Sequence, residues 1–230
     1  MKISDIRKEF ANKYKNQEFV LNSKGDKTIE IINANFEIDK DETVIFGELN
    51  EYANRELEWY KSMSLNVNDI PGKVPVIWQM VADYDGYINS NYGWCIWSAD
   101  NYSQYKNCLK HLIDDQGTRQ ACMIYNRPSM QYDYDKNGMA DFMCTFAVQV
   151  FIRNNMLIYN VLMRSNDAVY GFKNDLFWHR HVIENLIEDL KYNGVFVNDY
   201  KLYWHAGSLH LYERNFNYID EYLKNTNNNE

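Results

Sequence analysis

The stretch from Asp141 to Gly194 constrains the fold more than any other part of the 230-residue chain. It holds two apolar, β-rich runs, residues 142–152 (FMCTFAVQVFI) and 156–164 (MLIYNVLMR), around Asn154-Asn155. Asparagine tolerates the left-handed backbone that tight turns require, so these runs read as a β-hairpin. A helix follows over 175–192, with apolar residues at helical spacing. Asn174 or Asp175 stands where a cap belongs, and Asn193-Gly194 supplies the stop.

The flanking segments fit the same class. Residues 2–14 predict a short amphipathic helix, and 27–38 (KTIEIINANFEI) alternate as a strand does. Residues 47–62 carry helical spacing through Leu49, Tyr52, Leu57 and Tyr60. Residues 68–98 read mostly as loop, broken by Pro71, Gly72 and Pro75. Further on come a helix at 101–114, a strand at 119–126, a strand at 200–205 and a last helix at 212–224. Helices and strands are interspersed without strict βαβ alternation, so the class is α+β. No repeat or linker divides the chain, which reads as one domain, 1–230, with a frayed tail at 225–230 (NTNNNE).

Charge and cysteine usage exclude several functions. A net charge of −8 opposes non-specific nucleic-acid binding, which needs a basic surface. A few local cations can still hold one phosphorylated small molecule. Cys95, Cys108, Cys122 and Cys144 form no CxxC pair, so neither a zinc site nor a disulfide framework is expected. His179 and His181 are two apart on a predicted helix and share no face, so no metal site is expected there. The N-terminus is charged and no run of 18 apolar residues exists, so the expectation is a reduced, cytoplasmic protein with no membrane contact. Aromatic residues at 16% suggest a rigid core with some rings left for ligand stacking or a subunit interface.

A set of motifs goes further. Cys144 opens a strand, Arg164-Ser165-Asn166-Asp167 closes the hairpin, and Gly171 leads to Asp175 at the start of the long helix. Glu56-Leu57 with Trp59, Ile77-Trp78 with Ala82-Asp83, Asn91-Tyr92-Gly93, His210-Leu211-Tyr212 and Arg119 before a strand accompany it. In order and spacing this set resembles the thymidylate synthase superfamily over roughly residues 27–215, and within it the deoxycytidylate hydroxymethylase branch. The usual Pro-Cys-His around the nucleophile here reads Met143-Cys144-Thr145. Val81 replaces the second tryptophan of the folate-side motif, and Thr118 the first of two paired arginines. Ser23 stands where the family has a phosphate-binding arginine, with Lys24 and Lys27 nearby, and a counterpart of the family's C-terminal folate-closing segment is not expected.

The resemblance implies a large mixed β-sheet flanked by helices, with one sheet face used for dimerisation and active sites shared between subunits. It implies a pyrimidine deoxynucleotide monophosphate as substrate and 5,10-methylenetetrahydrofolate as co-substrate. Cys144 would be the nucleophile, whose commoner fate alone is a buried small hydrophobe. Glu56 would organise water and move protons with a raised pKa, although most glutamates are exposed charges. Asp175 would read cytosine, because a carboxylate accepts and cannot offer uracil O4 a hydrogen bond; as a bare helix-start residue it would be a cap. Arg164, Ser165, Arg119 and Lys27 would hold phosphate, with Arg164 and Arg119 also favouring the thiolate. His210 and Tyr212 would meet the sugar, and Trp78, Asp167, Gly171 and Tyr92 the folate side. Rival readings are a dCMP methylase, a CMP or dUMP hydroxymethylase, and a catalytically silent nucleotide-binding dimer.

Overall fold

The computed structural model describes residues 1–21 and 25–227; Ser23 and Lys24 lie outside the described residues. The helices are α1 (Ile3–Lys15), α2 (Tyr52–Ser62), α3 (Val76–Val81), α4 (Tyr92–Trp97), α5 (Gln104–Asp114), α6 (Met130–Asp133), α7 (Tyr170–Tyr192) and α8 (Asn217–Asn227). The strands are β1 (Val20–Leu21), β2 (Lys27–Ile38), β3 (Cys122–Ile124), β4 (Thr145–Arg153), β5 (Met156–Asp167) and β6 (Asp199–Tyr212). They form one mixed sheet in the order β1-β2-β6-β5-β4-β3, antiparallel except where β5 runs parallel to β6. A parallel neighbour needs a crossover, and α7 supplies it.

Strand β2 spans the expected 27–38, and Asn154 and Asn155 turn the β4–β5 hairpin with φ of 52° and 57°. Other boundaries depart from expectation. Helix α7 begins at Tyr170, so Asn174 and Asp175 lie inside it and cap nothing. The Asp167 carboxylate instead accepts from the Val169 and Tyr170 amides at 2.8 and 3.4 Å. Strand β6 continues to Tyr212, because pairing with β5 and β2 carries it past its glycine. The segment 68–98 contains the short helices α3 and α4, and α8 extends through 225–227, the first part of the tail expected to fray. Cys144 sits just before β4 rather than within it.

Alternate residues of β4, β5 and β6 point under the helices: Val148, Val150, Tyr159, Val161, Leu202 and Trp204 are all buried. Helix α7 completes this core with Phe172, Leu176, Trp178, Val182, Ile183 and Leu186. The opposite sheet face carries Phe151, Ile158, Leu162 and Tyr203 only half-buried.

Irregularities in pairing cross the sheet beside these strands' functional ends. The β4–β5 register slips between Thr145 and Ala147. Pairing skips Arg164 opposite Gly207, and Asn33 takes a φ of 59° in β2. Such breaks bend a sheet and re-aim side chains. Gly207 permits the approach: a Cβ there would lie 2.9 Å from the Arg164 carbonyl oxygen.

Candidate active site

The bent end of the sheet, the start of α7 and helices α2 and α3 enclose a cavity of about 560 Å3. Cys144, Glu56, Asp175, Arg164, Ser165, Asp167, Gly171, Trp78, Tyr92, His210 and Tyr212 all line it. Residues from 56 to 212 therefore converge because three strand ends and one helix start meet at one edge of the sheet.

Cys144 is half-buried and tied to its neighbour strand: its carbonyl accepts from the Arg164 amide at 2.9 Å. The Arg164 guanidinium reaches back to the same loop. Its Nε donates to Met143 O at 3.0 Å and one Nη to Phe142 O at 2.7 Å, with the Cys144 Sγ 3.6 Å from that nitrogen. Burial pushes the Cys144 thiol up to about 11; Arg164 opposes the shift, while Asp175 and Asp141 add to it. Asp141 itself accepts from the amides of Asn89 and Ser90 and from the Ser90 hydroxyl, at 2.7, 2.8 and 2.7 Å. It thereby clamps the 89–91 segment to the loop that carries Cys144.

On the other wall, Glu56 is buried and accepts from the Tyr52 hydroxyl at 2.7 Å and the Trp78 indole at 3.1 Å. The indole also donates to the Tyr52 oxygen at 2.6 Å. Burial raises the Glu56 carboxyl to about 7, against the pull of these two donors. The site thus holds a carboxyl that exchanges its proton near neutral pH.

Asp175 lies on the α7 wall, where its Oδ2 accepts from the Asn166 amide at 2.7 Å. Burial pushes its carboxyl well above the usual range, with Glu56 adding repulsion. Tyr92 forms part of the floor: it is buried, stacks on Tyr60 at 5.1 Å, and receives the Thr145 hydroxyl at 2.9 Å. Gly93 beside it admits α2, since a Cβ there would meet the Tyr60 carbonyl oxygen at 1.7 Å.

Two further cations reach the cavity. Lys173, buried with its ammonium on Glu48 O at 2.9 Å, and Arg214, 4.2 Å over the Tyr212 ring, both line the cavity. Sequence reasoning missed both, and it read Tyr52 only as an apolar helix position. Tyr52 stands one turn before Glu56, a spacing that brings side chains together and was the available signal. Lys27 needs correction: its ammonium pairs with Glu213 at 2.9 Å, rests over the Phe19 ring and does not line the cavity. Arg119 lies apart too, in a shallow hollow with Arg153 and the hairpin turn, so within one chain it neither reaches the cavity nor acts on Cys144. His179 is buried against the Tyr159 hydroxyl at 3.1 Å, and burial lowers it to about 3. No cluster of three or more His, Cys, Asp or Glu residues that could hold a metal exists among the described residues.

With the geometry in view, similarity decides the family. The thymidylate synthase family model matches residues 14–230. The chain belongs to the thymidylate synthase family. It is 51% identical over 228 residues to the deoxycytidylate 5-hydroxymethyltransferase of Enterobacteria phage T4, covering 97% of this chain and 92% of that protein. The phage T2 enzyme of the same name is also 51% identical, over 226 residues. Among solved structures, thymidylate synthase from T4 phage superposes with a TM-score of 0.72 at 16% identity, covering 94% of this chain and 79% of that one. Thymidylate synthase A from Bacillus subtilis gives 0.66 at 17%, covering 96% and 83%. These two establish the α+β fold with its six-stranded mixed sheet and flanking helices. No helix among the described residues is long and apolar enough to cross a membrane.

Proposed function

We propose that this chain is a one-carbon transferase that converts dCMP to 5-hydroxymethyl-dCMP. The observation that carries the reading is Asp175: a half-buried carboxyl shares one cavity with Cys144 and Glu56, in a chain 51% identical to phage deoxycytidylate 5-hydroxymethyltransferases. Its hydrogen-bonding capacity suits the cytosine edge, which offers an amine donor beside N3.

Carbon 5 of a pyrimidine is a poor nucleophile until a thiolate adds to C6 and turns C5 into an enamine carbon. Cys144 supplies that thiolate. Its proton is lost as N3 gains one, and Asp175 stabilises the protonated ring. Bound 5,10-methylenetetrahydrofolate would supply the one-carbon electrophile; Pro75, Ile77 and Trp78 on one lip and Tyr170 on the other suit its flat ring, Ile77 being 61% exposed. Once the C5 proton has left and the bond from the new methylene to the folate nitrogen has broken, releasing tetrahydrofolate, the base carries an exocyclic methylene conjugated to the Cys144 adduct. Glu56, held by Tyr52 and Trp78, takes a proton from the water that adds to this methylene, and Cys144 then departs from C6. The hydroxymethyl rather than methyl product is supported by the 51% identity to the phage deoxycytidylate 5-hydroxymethyltransferases.

Arg164, Ser165, Lys173 and Arg214 hold the phosphate in this reading, and His210 and Tyr212 meet the sugar. A homodimer built on the half-covered sheet face would bring a partner's Arg119 to that phosphate. The test is covalent trapping with 5-fluoro-dCMP and methylenetetrahydrofolate, where fluorine at C5 blocks loss of that position. Intact mass should show one nucleotide–folate adduct per chain, absent in Cys144→Ala. A folded wild-type protein that binds the nucleotide without forming an adduct would contradict the reading and leave a silent binder.

A further inference from the structure

A carboxyl that reads a base has two oxygens, and selectivity depends on which one accepts. Cytosine presents a donor at position 4 and an acceptor at N3; uracil presents the reverse. A neutral carboxylic acid, one oxygen donating and one accepting, pairs with either base if its proton can move between oxygens. Burial pushes Asp175 well above the usual range, so the neutral form is accessible and carboxylate charge alone cannot enforce the choice.

Asn166 removes that freedom. It is 3% exposed on β5, and its Nδ2 donates to Asp175 Oδ2 at 2.7 Å. The Asn166 Oδ1 is buried with no hydrogen-bond partner. An orphaned amide oxygen is costly, and what is gained in exchange is the single bond to Asp175. Gly171 leaves room for it, since a Cβ there would approach the Asn166 Nδ2 to 3.2 Å. With Nδ2 facing it, Oδ2 accepts and a proton on Asp175 is favoured on Oδ1, because the carbonyl oxygen is the better acceptor; the Tyr92 hydroxyl is the carboxyl's other hydrogen-bond partner.

We infer that Asn166 is a positioning residue for base selection: by donating to Asp175 Oδ2 it fixes the hydrogen-bond polarity of the carboxyl, with Oδ2 turned to position 4 of the base and Oδ1 to N3, so that the cavity accepts cytosine and rejects uracil. The inference rests on the dCMP reading above. In Asn166→Ala the bond that holds Oδ2 as acceptor is gone while the Tyr92 bond stays, and the uracil-compatible form becomes more accessible.

The experiment compares kcat/KM for tritium release from [5-³H]dCMP and [5-³H]dUMP in wild type, Asn166→Ala and Asn166→Asp, with calorimetric Kd values for both nucleotides. Thermal unfolding of each variant reports on folding. The wild type should prefer dCMP, and the dCMP:dUMP ratio should fall at least tenfold in both variants, in kcat/KM or, where turnover is too slow to measure, in Kd. A merely structural role would lower both substrates together and leave the ratio unchanged; that result overturns the role of Asn166 while the dCMP reading stands. A wild type that prefers dUMP overturns both.

Discussion

A thiol pushed up to about 11 is almost wholly protonated at neutral pH, so Cys144 becomes reactive only as its proton leaves on substrate binding. Glu56, raised to about 7, is poised differently. Its folded-state pKa lies above the ordinary 4.5, so the folded chain binds this proton more tightly than the unfolded chain does. That contribution to stability is full below pH 4.5 and is lost as pH rises through about 7. Glu56→Gln should therefore stabilise the protein relative to wild type at pH 8, by up to about 3 kcal/mol, and much less at pH 4.5, as read by urea unfolding. An equal effect at both pH values would contradict the buried, raised carboxyl. In catalysis, formation of the hydroxymethyl product should rise through pH 7. Because the Tyr52 hydroxyl lowers the Glu56 pKa, Tyr52→Phe should move that inflection upward; an unmoved profile would separate Tyr52 from the proton transfer.

At the scale of elements, the sheet bend decides where Arg164 and Cys144 stand. Gly207→Ala places a methyl 2.9 Å from the Arg164 carbonyl oxygen, where backbone must shift. It should cost about 1–3 kcal/mol in unfolding free energy and reduce nucleotide affinity, because the same shift moves Arg164. Unchanged stability and affinity would show that the bend relaxes without consequence. Local signals made the hairpin and strand β2 legible: Asn154-Asn155 demands positive φ, and 27–38 alternates throughout. The start of α7 was hidden because its capping carboxylate, Asp167, belongs to the preceding strand and Gly171 reads as a break. Strand β6 was foreshortened because Gly207 and its polar neighbours lower strand propensity, which pairing on both sides overrides. Cys144, Glu56, Arg164 and Asp175 were legible as an ordered motif. Lys173, Arg214 and the Asn166–Asp175 bond depend on contacts between elements, which spacing along the chain does not encode.

At the scale of the molecule, a sheet face carrying half-buried Phe151, Ile158, Leu162 and Tyr203 suits a symmetric partner, and Arg119 does not line the Cys144 cavity of its own chain. Equal mixing of Arg119→Ala with Cys144→Ala, each inactive alone, should restore part of the activity in mixed dimers that hold one intact site; no recovery would confine Arg119 to its own chain. The central claim concerns which base is modified and what is attached. Tritium release from [5-³H]dCMP and [5-³H]dUMP with methylenetetrahydrofolate, with products identified by mass, tests it most directly. The account predicts release from dCMP with a hydroxymethyl product, and for Asp175→Asn a preference shifted at least tenfold toward dUMP. Release from dUMP alone by the wild type, or a methyl product from dCMP, would contradict it.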